Sequence, residues 1–297
     1  MMPLLSCRIA VITGASRGLG ETIALQFARE GASLALLARG AAGLECLLPK
    51  LRATAPRNDQ QFRPIPVDLA DPNDVDRAVR VCLREFDGVD ILVNNAALQG
   101  PIGPLEANDW QQWRTAFEVN LFAPARLCQL FIPAMRRRGR GKIINLSGGG
   151  ATSPRPDFSS YAAAKCALVR LSETLAEELK GDRIDVNAVS PGPMNTRMLD
   201  EVLAAGPDAA PREFAAALKR KHEGGSSMEK AAELVAMLAS SLSDGISGKL
   251  ISAVWDDWQR LPGRREELAK SEVYTLRRVL PKEEQKDTNS CAARKAS

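Results

Sequence analysis

The sequence predicts an α/β fold, a single doubly wound domain on a seven-stranded parallel sheet with a carboxyl-terminal extension. Three observations predict it. Short β-branched runs alternate with longer stretches rich in Ala, Leu, Arg and Glu, the pattern of repeated strand–helix units. Several runs are apolar throughout, as in Ile91-Leu92-Val93 and Ile143-Ile144, which suits strands covered by helices on both faces. The 297 residues, 45% hydrophobic and 26% charged, are enough for one sizeable core and a few dozen residues more.

Taken in order, strands are expected at 8–13, 33–38, 63–67, 89–93, 141–146, 183–189 and 248–253. Helices are expected between them at about 18–30, 40–54, 72–86, 107–138, 157–180 and 228–241, with a less regular stretch around 195–222. The segment 203–227 carries Gly206-Pro207, Pro211 and Gly224-Gly225-Ser226-Ser227. These breakers mark a mobile insertion, a substrate lid spanning about 193–227. The domain is expected to occupy 1–258 and the extension 259–297, its last dozen residues too polar to order. Within the extension, Arg264-Arg265-Glu266-Glu267-Leu268 suits a short amphipathic helix, and 273–278 a strand facing a partner. Trp255 and Trp258, three apart, suit core or interface packing.

Composition excludes several classes of function. Forty Lys/Arg against thirty-six Asp/Glu leave a net charge of +4, and residues 259–297 alone carry all of that excess. The rest of the chain is neutral, which argues against a nucleic-acid-binding surface. No apolar run is long enough to span a membrane, and no charged-then-apolar leader opens the chain at Met1, so a cytoplasmic protein is expected. Six scattered cysteines (Cys7, Cys46, Cys82, Cys128, Cys166, Cys291) contain no C-x-x-C pair and read as reduced packing residues, with no metal site. His222 is the only histidine, so sites built on several histidines are excluded.

Strand one ends in Thr13-Gly14-Ala15-Ser16-Arg17-Gly18-Leu19-Gly20 and opens directly into a helix. The three glycines permit a tight turn and let backbone approach a pyrophosphate whose charge meets free amides at the helix N-terminus, as in a Rossmann fold. The same letters fit G-x-S-x-G, a hydrolase nucleophile elbow at Ser16. That alternative needs His222 as base, and His222 sits in a Lys-Arg-Lys-His-Glu-Gly run that suits a solvated helix end. Further on, Tyr161-Ala162-Ala163-Ala164-Lys165 places a tyrosine and a lysine on one helix face. A phenol has a pKa near 10, and a neighbouring ammonium favours the phenolate, so the pair suits proton transfer.

With these motifs in this order, residues 6–253 resemble the short-chain dehydrogenase/reductase family. Thr13 to Gly20, with Gly14, Ser16, Arg17, Gly18, Leu19 and Gly20, is similar to its cofactor loop. Asp68 after Val67, with Leu69, falls where the family contacts adenine. Asn94-Asn95-Ala96-Ala97 resembles its N-N-A-G, so Asn94 and Ala96 are expected at the cofactor. Asn120 falls at the helical catalytic asparagine, and Pro191-Gly192 with Thr196 at the segment holding nicotinamide. Tyr161 and Lys165 match the catalytic pair and are also expected to touch the cofactor.

The family's catalytic serine lies thirteen residues before the tyrosine, which here is Gly148; Ser147 lies fourteen before it. Either the Gly148-Gly149-Gly150 loop carries an extra residue and Ser147 takes the role, or that contribution is missing or comes from Ser153. Ser147 is favoured because it closes strand five. NAD-selective relatives carry an acidic residue at the end of strand two, where this chain has Ala38-Arg39. Arg39, with Arg17 opposite, suits a 2′-phosphate, so NADP(H) is expected over NAD(H).

The resemblance implies an oxidoreductase. NADPH would deliver hydride to a carbonyl carbon while Tyr161 donates a proton, Lys165 bonds the ribose and lowers the tyrosine pKa, Ser147 orients the carbonyl oxygen, and Asn120 holds a water linking Lys165 to solvent. It also implies a homodimer or homotetramer through the helices at 107–138 and 157–180. A catalytically inactive, nicotinamide-binding regulatory or scaffold protein is the alternative. Phe158, Met194, Met198, Leu199 and Phe214 are expected to wall a small-molecule pocket, and Arg155 hints at an anionic group on the substrate.

Overall fold

A computed structural model describes residues 3–279. Seven strands, β1 (Ile9–Thr13), β2 (Ser33–Ala38), β3 (Phe62–Pro66), β4 (Ile91–Asn94), β5 (Gly141–Leu146), β6 (Ile184–Ser190) and β7 (Leu250–Ser252), form one sheet in the order β3-β2-β1-β4-β5-β6-β7. All six pairings are parallel. The predicted doubly wound sheet is therefore present.

Side chains alternate between two buried faces. Ala10, Ile12, Leu34 and Leu36 point toward α1 (Gly18–Arg29), α2 (Ala41–Thr54) and α9 (Met228–Ala239). Val11, Ala35, Leu37 and Leu92 point toward α3 (Pro72–Glu85) and α5 (Ala123–Arg138). Both faces of each central strand are dry, which is why these runs carry no polar alternation. Phe27 and Phe131, fully buried on opposite faces, anchor the two layers, and truncating either to Ala costs about 3–5 kcal/mol. At the amino ends of the strands, Asp90 is almost wholly buried between Arg138 (3.1 Å), Arg140 (2.9 Å) and Arg8 (3.6 Å). Burial opposes its charge, but the Ile9 amide and these arginines outweigh burial and hold the carboxyl below its ordinary value.

Two stretches differ from the sequence expectation. The helix expected at 107–138 is three pieces: α4 (Trp110–Phe117), a single π-helical turn Glu118–Phe122, and α5. The turn carries Asn120, whose side chain is fully buried against the Leu98 backbone, accepting from its N–H (3.0 Å) and donating to its C=O (2.7 Å). The breaker-rich stretch expected to be irregular is helical, as α7 (Arg197–Ala205) and α8 (Pro211–Glu223). Pro211 starts α8 at a position where no N–H is needed, and Gly206 and Gly224 end α7 and α8 with positive φ, so the breakers bound helices rather than replace them.

The described part of the extension, up to residue 279, folds back on the sheet. A 3₁₀ turn Trp258–Arg264 and α10 (Arg265–Ala269) bury Trp258, Leu261 and Leu268, while Trp255 stays exposed. No strand forms at 273–278, contrary to expectation. That segment is instead a strap along the sheet edge, because its backbone groups find partners on the domain. The Leu250 N–H donates to the Tyr274 C=O (2.7 Å), and Lys249 Nζ donates to the Ser271 C=O (2.8 Å). On α6 (Ser159–Glu178), Glu173 accepts from the Leu276 N–H (2.6 Å) and pairs with Arg170 and Arg277. Of the cysteines, Cys82 and Cys128 pack in the core, where burial pushes each thiol up to about 12, and Cys7, Cys46 and Cys166 are exposed. Cys291 and the polar tail lie outside the described residues. No described helix is long and apolar enough to cross a membrane.

Glu173→Ala leaves the Leu276 amide without its acceptor and removes the carboxylate beside Arg170 and Arg277. The substitution is expected to lower unfolding free energy by about 1–3 kcal/mol in urea titrations, and an unchanged midpoint would show that the strap contributes nothing.

Candidate active site

Strand order reverses between β1 and β4, and their diverging connections open a crevice at the carboxyl ends of the strands. The crevice holds a cavity of about 1250 Å³. Its rim is tied by side chains of the two central strands. Thr13 Oγ1 accepts from the N–H groups of Asn95 and Ala96, both at 3.0 Å, and Asn95 Nδ2 donates to the Thr13 C=O at 2.9 Å.

The glycine loop forms the floor at one end. A Cβ on Gly20 would lie 2.1 Å from the Gly14 C=O, so only glycine lets helix and loop approach this closely. Arg17 precedes α1 in extended conformation and its side chain makes no cap, which leaves the first-turn amides for a ligand. Ser16, Arg17, Gly18, Leu19, Arg39, Asp68, Leu69 and Ala96 line this half with Gly14 and Gly20; Pro191, Gly192 and Thr196 line the middle. Arg17 and Arg39 are exposed and have no ion-pair partner among the described residues. Asp68 closes its own turn by accepting from the Ala70 N–H (3.0 Å), and Asp71 caps α3. A glycine cradle and free helix amides fit a dinucleotide, and the two unpaired guanidinium groups line the same half of the cavity.

Two expected residues do not reach the cavity. Asn94 is buried beneath it, donating to Asn145 Oδ1 (2.8 Å) and so tying β4 to β5. Asn120 acts on the Leu98 backbone, as described, and does not line the wall. The neighbours Asn95, Leu98 and Gln99 line it instead. Spacing alone could not separate Asn94 from Asn95, since adjacent strand-end residues point opposite ways.

Ser147, Tyr161 and Lys165 meet in the cavity wall. Tyr161 and Lys165 lie one turn apart on α6, with Lys165 Nζ 5.8 Å from the centre of the tyrosine ring. Lys165 is 1% exposed and donates to the Leu146 C=O (2.7 Å), the last carbonyl of β5. Burial lowers its pKa to about 7. Burial also raises the Tyr161 phenol above its ordinary value, and the charge of Arg155 offsets only part of that. The expected lowering of the tyrosine by its lysine is therefore absent here: desolvation dominates both groups, and the ammonium is spent on a carbonyl. The phenol stays protonated at neutral pH.

Ser147 is nearly buried, and its Oγ has no hydrogen-bond partner among the described residues. At Gly148 a Cβ would lie 2.2 Å from Tyr161 Oη, so the phenol occupies the space that a side chain there would need. Ser153 also lines the cavity. Met194, Met198 and Leu199 form the lid side; Phe158 lies wholly buried behind the wall, and neither it nor Phe214 lines it. Arg155 is paired with Glu213 through two contacts of 3.0 Å, so the anticipated anion partner is a residue of the protein. His222 is exposed at the end of α8, away from the cavity, which leaves Ser16 without a base. Glu213, Gln99 and Trp255 in the wall carry no motif; only folding brings them there.

Comparison with known proteins follows the same lines. The sequence model of the family described as short chain dehydrogenase matches residues 8–206. The short-chain dehydrogenase/reductase olcF of Penicillium canescens is 32% identical over 269 residues, 88% of this chain and 100% of that protein. The short chain dehydrogenase pigC of Monascus ruber is 30% identical, over 85% of this chain and 80% of that protein. Among solved structures, levodione reductase superposes with a TM-score of 0.77 at 26% identity, covering 86% of this chain and 99% of that one. L-sorbose reductase from Gluconobacter frateurii, solved with NADPH and L-sorbose, gives 0.75 at 30% identity over 85% and 97%.

The buried lysine links stability to pH. Its folded value near 7 lies below the ordinary 10.5, so between those values the unfolded chain binds the extra proton and stability rises with pH. Lys165→Met removes this dependence. The stability of wild type relative to the variant, from urea unfolding between about pH 7 and about pH 10, is expected to grow by roughly 2–4 kcal/mol. A constant difference would mean that the fold holds a charged lysine.

Proposed function

Since the chain belongs to the short-chain dehydrogenase family and is an oxidoreductase, we propose that it uses NADP(H) to interconvert a carbonyl and a secondary alcohol, with Tyr161 as the acid/base. The observation that carries the reading is the meeting of Tyr161 and Lys165 in one cavity with the glycine loop.

Bound nicotinamide supplies hydride in reduction and accepts it in oxidation. Tyr161 holds the proton given to the substrate oxygen, and its burial keeps that proton in place near neutral pH. Lys165, fixed on the Leu146 carbonyl, keeps further N–H donors that would hold the ribose of a bound cofactor. The unpartnered Ser147 hydroxyl orients the carbonyl oxygen. Asn120 acts through Leu98, shaping the wall beside Gln99. At the other end, the first amides of α1 with Gly14, Ser16, Gly18, Leu19 and Gly20 hold the pyrophosphate. Asp68 and Leu69 would border the adenine of a bound cofactor, and Ala96, Pro191, Gly192 and Thr196 its nicotinamide.

Arg39 and Arg17 favour a 2′-phosphate over a free hydroxyl, and no carboxylate at the end of β2 opposes it. The L-sorbose reductase solved with NADPH is consistent with that choice. A homodimer or homotetramer through α5 and α6 is the expected assembly. One observation favours a second reading, a nicotinamide-binding regulatory protein: Gly148 stands where the family carries its serine.

Mixing the protein with NADPH and a panel of aldehydes, ketones and quinones, and following the loss of nicotinamide absorbance, separates the two readings. Tyr161→Phe is expected to lower turnover by about 10²–10⁴-fold while NADPH affinity stays within about threefold. NADPH binding without turnover of any carbonyl by the wild type would leave the regulatory reading. Arg39→Asp is expected to shift the NADPH-to-NADH ratio of kcat/KM toward NADH by about tenfold or more; an unchanged ratio would remove Arg39 from phosphate recognition.

A further inference from the structure

Beside Tyr161 the cavity wall holds a charge that is already answered. Arg155 lies in the loop between β5 and α6, its guanidinium 3.9 Å above the Phe158 ring and 5.4 Å from the centre of the Tyr161 ring. Its Nε and one terminal nitrogen donate to the two oxygens of Glu213, both at 3.0 Å. Glu213 comes from the first turn of α8, so the pair ties α8 to the loop that leads into α6. Arg155 is 16% exposed and Glu213 31%, and both line the cavity. Around them the lid presents Met198, Leu199 and Val202, packed on Tyr161 and Phe158. The other charges on this side are the Arg197–Glu201 pair (3.0 Å) on α7 and Arg220 on α8, whose C=O accepts from Asn195.

A guanidinium stacked on aromatic rings and held in place offers a planar fork suited to a substrate carboxylate. Here Glu213 fills that fork. A carboxylate arriving at Arg155 would have to displace Glu213 and lie beside it, so two like charges would share a poorly solvated wall. An uncharged molecule meets a neutral pair and apolar side chains.

We propose that Glu213 sets the charge selectivity of the substrate site: by neutralising Arg155 it admits uncharged, apolar carbonyl compounds and rejects their carboxylate counterparts. The inference rests on the oxidoreductase reading for the word substrate, but the recognition of charge can be measured without turnover.

Methyl benzoylformate and benzoylformate share a ring and a ketone and differ in one charge. Calorimetric titration of each into the protein saturated with NADP⁺ is expected to show that Glu213→Gln tightens benzoylformate binding by about tenfold relative to wild type. The affinity for the ester is expected to change by less than about threefold, and adding Arg155→Met to the variant is expected to abolish the gain. Glu213→Ala replaces the glutamine variant if the latter does not fold, with NADP⁺ affinity as the check on folding. Equal benzoylformate affinity in wild type and variant, absence of measurable binding in both, or a gain that survives Arg155→Met overturns the proposal. Turnover of the ester with NADPH is a separate readout. Its failure counts against carbonyl reduction while the change in anion affinity still decides the role of Glu213.

Discussion

The bonds between Thr13 and Asn95 hold together the point on which the rest of the molecule depends. Here the sheet changes direction, β1 and β4 run parallel, and their following loops part in opposite senses. A parallel sheet leaves backbone groups unpaired where its central strands end, and in this position they must be met by side chains. Thr13 meets the amides of Asn95 and Ala96 with one hydroxyl, and Asn95 returns a bond to the Thr13 carbonyl. The glycine loop then has a fixed start and the cavity a fixed floor.

The placement of α6 follows the same economy of unpaired groups. Lys165 reaches the last carbonyl of β5, so the helix carrying Tyr161 is registered against the sheet by a hydrogen bond from a side chain almost removed from water. That position weakens the hold of Lys165 on its proton and strengthens that of Tyr161. A polar clamp thus lies in the same dry wall that shifts the proton affinities of both groups. The strap makes a further connection, since Leu276 packs on the buried cluster of Ala151, Val169 and Ala188 and its amide is held by Glu173 of α6.

Elements whose determinants are local could be read directly. The strands of the buried sheet follow from runs such as Ile91-Leu92-Val93, the dinucleotide turn from its glycines, and the Tyr161–Lys165 face from a spacing of one helical turn. Boundaries shifted by a residue or two at strand ends. The stretch after β6 reads as irregular from Pro211, Gly206 and Gly224, yet these residues delimit α7 and α8. The β-branched residues at 273–278 suit a strand, whereas the partner that satisfies the backbone there is partly a glutamate 103 residues away.

By itself, then, the sequence determined the fold class, the place of the glycine loop and the residue types at the catalytic helix, because each depends on periodicity or on neighbours within a few residues. Only the tertiary structure decided which asparagine lines the cavity, that Gly148 yields its space to Tyr161, that Arg155 is answered by Glu213, and that the basic extension closes on its own sheet edge. Those outcomes depend on distances between distant segments and on how much water remains between them. Burial reversed the expectation drawn from charge alone at Tyr161, since it raises the phenol above its ordinary value and the charge of Arg155 offsets only part of that.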